Sequence, residues 1–498
     1  MGGSSSEITN RIAEWVARLD PSELPIAVRE RARAQLVSVA AAILAGARRP
    51  QHDALVRAAR AWGAGDQATI LPHGGRAPIT TAAYMNAAAS IALDYDDYLF
   101  AGHTGHSAVI ASLAFAEACD RSGAELLTAQ VAANEVAGRL GAAMLLGPHN
   151  GQMWTYIHAL AGACIAGRFL GLDAERITHA IGIALAQPPY PLAPAFFGPD
   201  AKLTMAAEPL AAGIRAAQLA AEGLSGAADA IGGEGGMLDK IASRALPFVF
   251  GGLGDVWLTQ SLAYKVVPGC AYVDTPVEAM QDVLRAFADK HGRALQPGDV
   301  AAIHIEATLF TDGMERMSAP HRKAAALRAA DVNFSAALSI GVLIARGELS
   351  ARVLHDDELR AHRDAIETVA ARTTVVATDE MNARLGGLGD IGIDALRLFD
   401  PSYEPSLEGA DFGRYTMRFP ARATLRTTAG EEHRAEVDIP AGAPGRPFSE
   451  SLDAVRLKFL REGEGVLGDP AEALALLERL DGAVSVRTAV QTIFRAIA

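Results

Sequence analysis

The chain has 498 residues, half of them hydrophobic but only 6% aromatic, with 45 Lys and Arg against 58 Asp and Glu and a formal net charge of −13. That length supports two domains or more, and the acidic balance lacks the basic footprint that nucleic-acid phosphates require. A small anionic ligand is not excluded, because one local pair of cations decides that binding.

In chain order, Met1 to Ser6 shows no basic stretch followed by an apolar run, so no signal peptide is expected. Apolar segments such as 36–45 and 160–170 are too short or too interrupted to cross a bilayer, and no membrane partner is expected. Cys119, Cys164 and Cys270 are too far apart for a C-x-x-C pair, and their odd number fits reduced thiols in a cytoplasmic protein. From about Ser6 to Gly226 the pattern is helix after helix. An apolar-periodic run leads from Pro25 through Val28, Ala32, Leu36, Val39 and Ile43 to Gly46, and helices follow over 80–93, 107–119, 125–145, 156–170 and 209–222. Ala and Gly supply much of the apolar content, which lets helices approach closely. Prolines forbid regular helix over 187–199. After Pro268 the texture changes. Residues 300–310 alternate as a half-buried strand, as do 373–377, 421–427 and 433–439, with helices at 276–291 and 329–346 among them. Helix returns from Ser449. The expected fold is mainly α: a large all-helical domain over 1–268 and 446–498, with a smaller α+β domain over 269–445.

The chemistry concentrates in Leu93-Asp94-Tyr95-Asp96-Asp97-Tyr98, followed by Ala101-Gly102-His103-Thr104-Gly105-His106. Three carboxylates and two imidazoles between Ala-rich apolar helices suggest a site, since buried charge is costly unless paired or used. The plainer alternative is a polar loop whose aspartates cap the next helix. The Gly-rich runs at 232–237 and 250–255 follow no strand of a βαβ unit and form no dinucleotide fingerprint. No G-x-S-x-G element places a serine nucleophile.

Five short motifs, in order, resemble the MmgE/PrpD family, which includes methylcitrate dehydratase, cis-aconitate decarboxylase and iminodisuccinate epimerase. Asp94-Tyr-Asp-Asp97 with His103 resembles the D-x-D-D … H-P segment, with Glu117 in the expected place on the next helix. Lys202, Gly213-Ile214 and 219–226 resemble the K … G … L-A-x-x-G-x-x-G segment, and Tyr264-Lys265-Val-Val-Pro268-Gly-Cys270 is similar to K-x-x-P-x-C. Asn333-Phe334-Ser335 through Gly347 resembles the A-x-F-S … G helix; Pro440-Ala-Gly442-Ala-Pro444, Pro447 and Leu457-Lys458-Phe459 resemble the P-x-G-x-P … P … K-F ending.

The resemblance implies a homodimer with its site between the helical and lid domains, acting on a small-molecule carboxylate without metal or organic cofactor. The implied reaction class is a lyase or isomerase that moves a proton beside a carboxylate or carbonyl. In that reading His103 is the acid/base, Asp94 orients it, and Lys202 and Lys265 hold the carboxylate and the developing enolate. Tyr98, His106, Gln152, His158, Tyr264 and Cys270 are the expected substrate contacts, while Asp96 and Asp97 are expected to brace the turn. His103, His106 and Asp94 also form a candidate divalent-metal set, though no further partner motif accompanies them.

Departures from the family pattern bear on the reaction. Thr104 stands where proline usually follows the histidine. Gln152 stands where many members have a second histidine, with His149 and His158 nearby as substitutes. Met205 and Asp274 replace histidines, and Ala336 replaces the lid tyrosine. Gln152 cannot move a proton at neutral pH. The deprotonating half is retained and proton donors are lost, which favours altered chemistry or a less highly charged substrate. A non-catalytic relative with a binding or assembly role is the alternative.

Overall fold

The computed structural model describes residues 7–72, 75–100, 102–147, 155–198, 200–322, 326–394, 397–400 and 402–494. The fold is mainly α with a smaller α+β region. The first region contains α1 (Ile26–Ala47), α2 (Ile79–Ile91), α3 (Gly105–Ala118), α4 (Gly123–Ala143), α5 (Tyr156–Phe169) and α6 (Thr204–Ala221). The small-residue composition has the expected consequence. A Cβ placed on Gly213 of α6 would sit 2.1 Å from the Ala159 carbonyl oxygen of α5, so the two backbones meet where only glycine fits.

α6 begins before its expected start at Pro209, which lies inside the helix. The proline removes one backbone bond, but the buried face of Ala206, Ala207 and Leu210 carries the helix through it. Pro276 misleads in the same way, since α7 (Ala271–His291) also starts ahead of it.

Among the short strands not foreseen are β1 (Asp97–Leu99) and β2 (Leu262–Tyr264). They pair antiparallel in the register Asp97 to Tyr264, Tyr98 to Ala263 and Leu99 to Leu262. At only three residues each, they show no alternation long enough to read from sequence.

The second region is built on β3 (Val300–Ala307), β4 (Thr373–Ala377), β5 (Ala421–Thr427) and β6 (Glu432–Val437), in the order β4-β3-β5-β6. β3 and β4 run parallel, and the other pairs are antiparallel. α7 packs on β5 and β6. The helix expected over 329–346 is divided into Ala329–Asn333 and α8 (Ala336–Arg346), and the Ser335 Oγ caps α8 by accepting the Leu338 N–H at 3.1 Å. The sheet has its own core, including Val277, Val283, Ile303, Ile305 and Leu425. Residues Ile391, Ile393, Leu407, Phe412 and Met417 bury instead in the helical core. α9 (Phe448–Gly463) packs against α1. Among the described residues no helix is long and apolar enough to cross a membrane.

The β1–β2 ladder is secured from outside by Gly442, whose carbonyl accepts the Tyr264 N–H at 3.0 Å. Gly442 has φ +83°, and a Cβ there would lie 2.1 Å from the Tyr264 carbonyl oxygen. Gly442→Ala is therefore expected to cost about 1–3 kcal/mol from backbone conformation alone, with the clash added. Thermal unfolding should show a lowered midpoint, and an unchanged midpoint would mean that this contact does not secure the ladder.

Candidate active site

The site is built where α2 stops. Asp94 takes a left-handed conformation (φ 49°), as does Phe100 (φ 39°), and these two residues bracket the acidic loop. Such positions are uncommon for non-glycine residues and persist only where the surroundings hold them. Between them the chain is extended through β1, then returns at Gly102, whose N–H donates to the Leu99 carbonyl at 2.7 Å. The Thr104 side chain makes no capping bond at the start of α3. Asp94, Asp96 and Asp97 are all fully buried, so the polar-loop alternative does not describe this segment.

Side chains of an extended segment alternate in direction, and the two central aspartates divide accordingly. Asp97 accepts from the Gln35 amide at 2.8 Å, within a buried network that includes Gln130, Asn134 and Thr104. Asp96 accepts from the Lys265 ammonium at 2.8 Å through Oδ1, and its Oδ2 lies 2.6 Å from His103 Nδ1. The ladder supplies the registration, since the Lys265 N–H, one residue beyond β2, donates to the Asp96 carbonyl at 3.1 Å.

This corrects two assignments. Asp96, expected to brace the turn, orients His103; Asp94, expected in that role, pairs with the Lys202 ammonium and is approached by the Asn333 amide at 3.4 Å. The reason is local geometry. The left-handed turn at Asp94 sends its carboxylate towards Lys202, and the extended backbone aims Asp96 at His103. With Asp94 bound to an ammonium, the candidate metal set of His103, His106 and Asp94 loses its carboxylate.

Burial would raise the Asp96 carboxyl, but the charges of Lys265, His106 and His103 outweigh it and hold the group well below the carboxylate range. Burial opposes the Lys265 charge, yet Asp96 and Asp94 raise the ammonium to about 12. His103 is lowered, chiefly by burial and against the pull of Asp96. A neutral His103 has Nδ1 between two acceptors, the Asp96 carboxylate and the Asp97 carbonyl at 2.8 Å. Nδ1 therefore carries the hydrogen, and Nε2 keeps its lone pair.

His103 and Lys265 line a cavity of about 560 Å³, together with Asp94, Tyr98 and Cys270. Burial pushes the Cys270 thiol up to about 12, which suits a wall residue rather than a nucleophile. Lys202 lies behind that wall, buried beside the Phe196 and Phe334 rings at 5.3 and 4.6 Å. Burial lowers its ammonium despite Asp94.

The other expected contacts lie behind the cavity surface. His106 is buried, with Nδ1 2.8 Å from Ser90 Oγ and Nε2 3.1 Å from Asp96 Oδ2. His158, 2.9 Å from Ser107 Oγ, is held well below the usual histidine range by burial and by His106. Tyr264 is buried and donates to the Arg31 carbonyl at 2.8 Å. Gln152 and His149 lie outside the described residues. Asp274 and Ala336 are buried and do not line the cavity, while Glu117 binds Thr69 and Arg76. Sequence reading passed over Arg418, Tyr415 and the wall segment 385–390, which carry no motif and reach the site only through tertiary packing.

Residues 10–247, which supply Asp94, Asp96, His103 and Lys202, match the MmgE/PrpD N-terminal domain. The chain carries the MmgE/PrpD N-terminal domain over these residues, a little under half of its length. It is 26% identical over 324 residues to a cis-aconitate decarboxylase of Aspergillus terreus, covering 61% of this chain and 65% of the relative. A second cis-aconitate decarboxylase, from Aspergillus terreus strain NIH 2624 / FGSC A1156, is 27% identical over 58% of this chain and 63% of its own length. A cis-aconitate decarboxylase-like protein, oryM, of Aspergillus oryzae strain ATCC 42149 / RIB 40 is 28% identical over 36% of this chain and 40% of its own. The matches thus span under two thirds of these relatives.

Asp96→Asn would leave the Lys265 ammonium buried without its carboxylate, a loss of about 3–5 kcal/mol. The sign with pH follows from the two shifts. The lowered Asp96 contributes stability that is full above the ordinary carboxylate pKa of about 3.9 and lost as pH falls through its folded value. The raised Lys265 contributes fully below about 10.4, and that part is lost as pH rises through about 12. Denaturant unfolding of the variant at pH 7 should show the loss, and wild-type stability would remove Asp96 from its central place.

Proposed function

We propose that this chain is a lyase of the MmgE/PrpD type that removes a proton from carbon beside a carboxylate or carbonyl, using its own side chains. The observation that carries the reading is the fixed tautomer of His103. Its Nδ1 is held by Asp96 and the Asp97 carbonyl, and the ring borders the cavity with Nε2 free to accept a proton. The decarboxylase names of the relatives support loss of a group from carbon as the overall outcome.

In the proposed step, the substrate binds with its carboxylate or carbonyl against Lys265. His103 Nε2 accepts the proton, and the electron pair left on carbon moves into an enolate whose charge Lys265 faces. The Asp96 carboxylate stabilises the imidazolium as it forms. Expulsion of a leaving group completes a lyase cycle. Return of the proton to the carbon would give isomerisation or epimerisation from the same intermediate. Lys202 acts at one remove, by holding Asp94 at the cavity wall.

Proton NMR in D₂O with a panel of small carboxylic acids tests the reading. Deuterium should enter the position beside the carboxylate in the wild type and not in His103→Asn, with folding retained. Lys265→Met should also abolish exchange. The acid limb of kcat/KM should lie below pH 6.5, because His103 is lowered and the neutral base persists as pH falls, until its own pKa is passed. Exchange undiminished in His103→Asn would overturn the assignment.

A further inference from the structure

The cavity's charge and its walls together restrict what it can hold. Among the described residues that line it, the cations are Lys265 and Arg418, His103 being neutral. Each faces a carboxylate: Lys265 binds Asp96 at 2.8 Å, and Arg418 lies 3.9 Å from Asp390. Asp94, also on the wall, is matched by Lys202. Among the described residues the lining therefore holds no surplus of positive charge. A polyanion entering it would shed water from several carboxylates with no unmatched cation to receive them. One carboxylate is different, because the Lys265 ammonium carries three donors and only part of that capacity is used by Asp96.

The remaining walls are apolar on two sides. Phe196, Phe197 and Phe334 form one cluster, with the Phe334 centroid 5.2 and 5.1 Å from the other two. Tyr272 stacks on Phe310 at 5.3 Å with rings 15° apart, and meets Phe419 edge-on at 5.2 Å. Met314 and Met317 add pliable apolar surface. Such lining, around about 560 Å³, is that of a pocket for a sizeable hydrophobic molecule, within the range of about 300–1,000 Å³ such sites occupy.

Resting on the reading of this cavity as the reaction site, we propose that the substrate is a hydrophobic monocarboxylate. Its single carboxylate lies at Lys265 and His103, and an aromatic or branched aliphatic body lies between the two aromatic clusters. This separates the chain from an enzyme acting on a small tricarboxylate, whose recognition needs cations in excess.

The test is calorimetric titration of the full chain with 4-phenylbut-3-enoate and with citrate. The aryl monocarboxylate should bind at least about tenfold more tightly, with the negative heat-capacity change that apolar burial produces. Phe310→Ala should weaken that binding about tenfold by removing an aromatic face, and leave citrate unchanged. Met317→Ala, at a side chain already 53% exposed and thus without consequence for folding, should weaken it in the same direction. Citrate binding as tight as the monocarboxylate, no binding of the monocarboxylate, or indifference to both substitutions would overturn the proposal. Deuterium exchange on the same acid is read separately. Tight binding without exchange supports the ligand class and counts against the proposed reaction instead.

Discussion

Everything at this site depends on one fully buried carboxylate, Asp96. Out of water it is sustained by the Lys265 ammonium and by the hydrogen bond of His103 Nδ1, which reach it from different parts of the chain. Neither contact would form without the β1–β2 ladder. A one-residue slip in that ladder would turn every side chain of β1 to the opposite face. Asp97 would then point towards Lys265, and Asp96 into the Gln35 network. Three residue pairs of strand thus fix which aspartate sustains the base and which is structural.

The same pairing explains how a hydrophobic cavity can contain such polar chemistry. In a low-dielectric wall each charge is costly alone, but a matched pair is tolerated and its field on a nearby group is strong. Lys265 is tied to Asp96 and Lys202 to Asp94, so the donors are oriented before any ligand arrives. Arranging such dipoles in advance is what makes electrostatic stabilisation of a developing enolate effective. The aromatic rings beside Lys202 serve both purposes, covering its charge and forming part of the apolar wall.

Much of this was legible from sequence where the signal is periodic. Helices α1 to α5 have long apolar faces, and their positions follow from spacing and from Pro25 and Gly46. The cluster of Asp94, Asp96, Asp97 and His103 stood out because carboxylates rarely end Ala-rich helices without a use. Pairing within the cluster was not legible. Asp94 and Asp96 are chemically identical two residues apart, and only the left-handed turn at Asp94 and the extended backbone after it separate their roles. Pro209 and Pro276 were read as helix starts because proline favours that position, whereas tertiary burial extends both helices through them. Arg418, Tyr415 and the 385–390 segment lie more than a hundred residues from Lys265, and no local pattern announces that they share its cavity. His106, His158 and Tyr264 are expected at the substrate because the family resemblance sets them in or near its motifs. The helix and strand faces that carry them turn behind the wall.

The buried charges around the base also set its protonation state. Asp94, Asp96 and Asp97 share this region with the ammonium groups of Lys202, Lys265 and Lys458, and with the buried Asp274 carboxyl, which burial raises well above its ordinary range. Burial and the nearby Asp96 push the Asp97 carboxyl up to about 6, and burial pushes Lys458 down to about 7. The two shifts bring the groups close together, but Lys458 still holds its proton more tightly than Asp97 does. A proton on His103 Nε2 would place a charge in a dry wall near Lys265, and burial lowers the ring against the pull of Asp96. The ring is thereby biased towards its neutral form. In the proposed reaction such a base would need no separate device to keep it deprotonated, since the burial around Asp96 already favours the neutral ring.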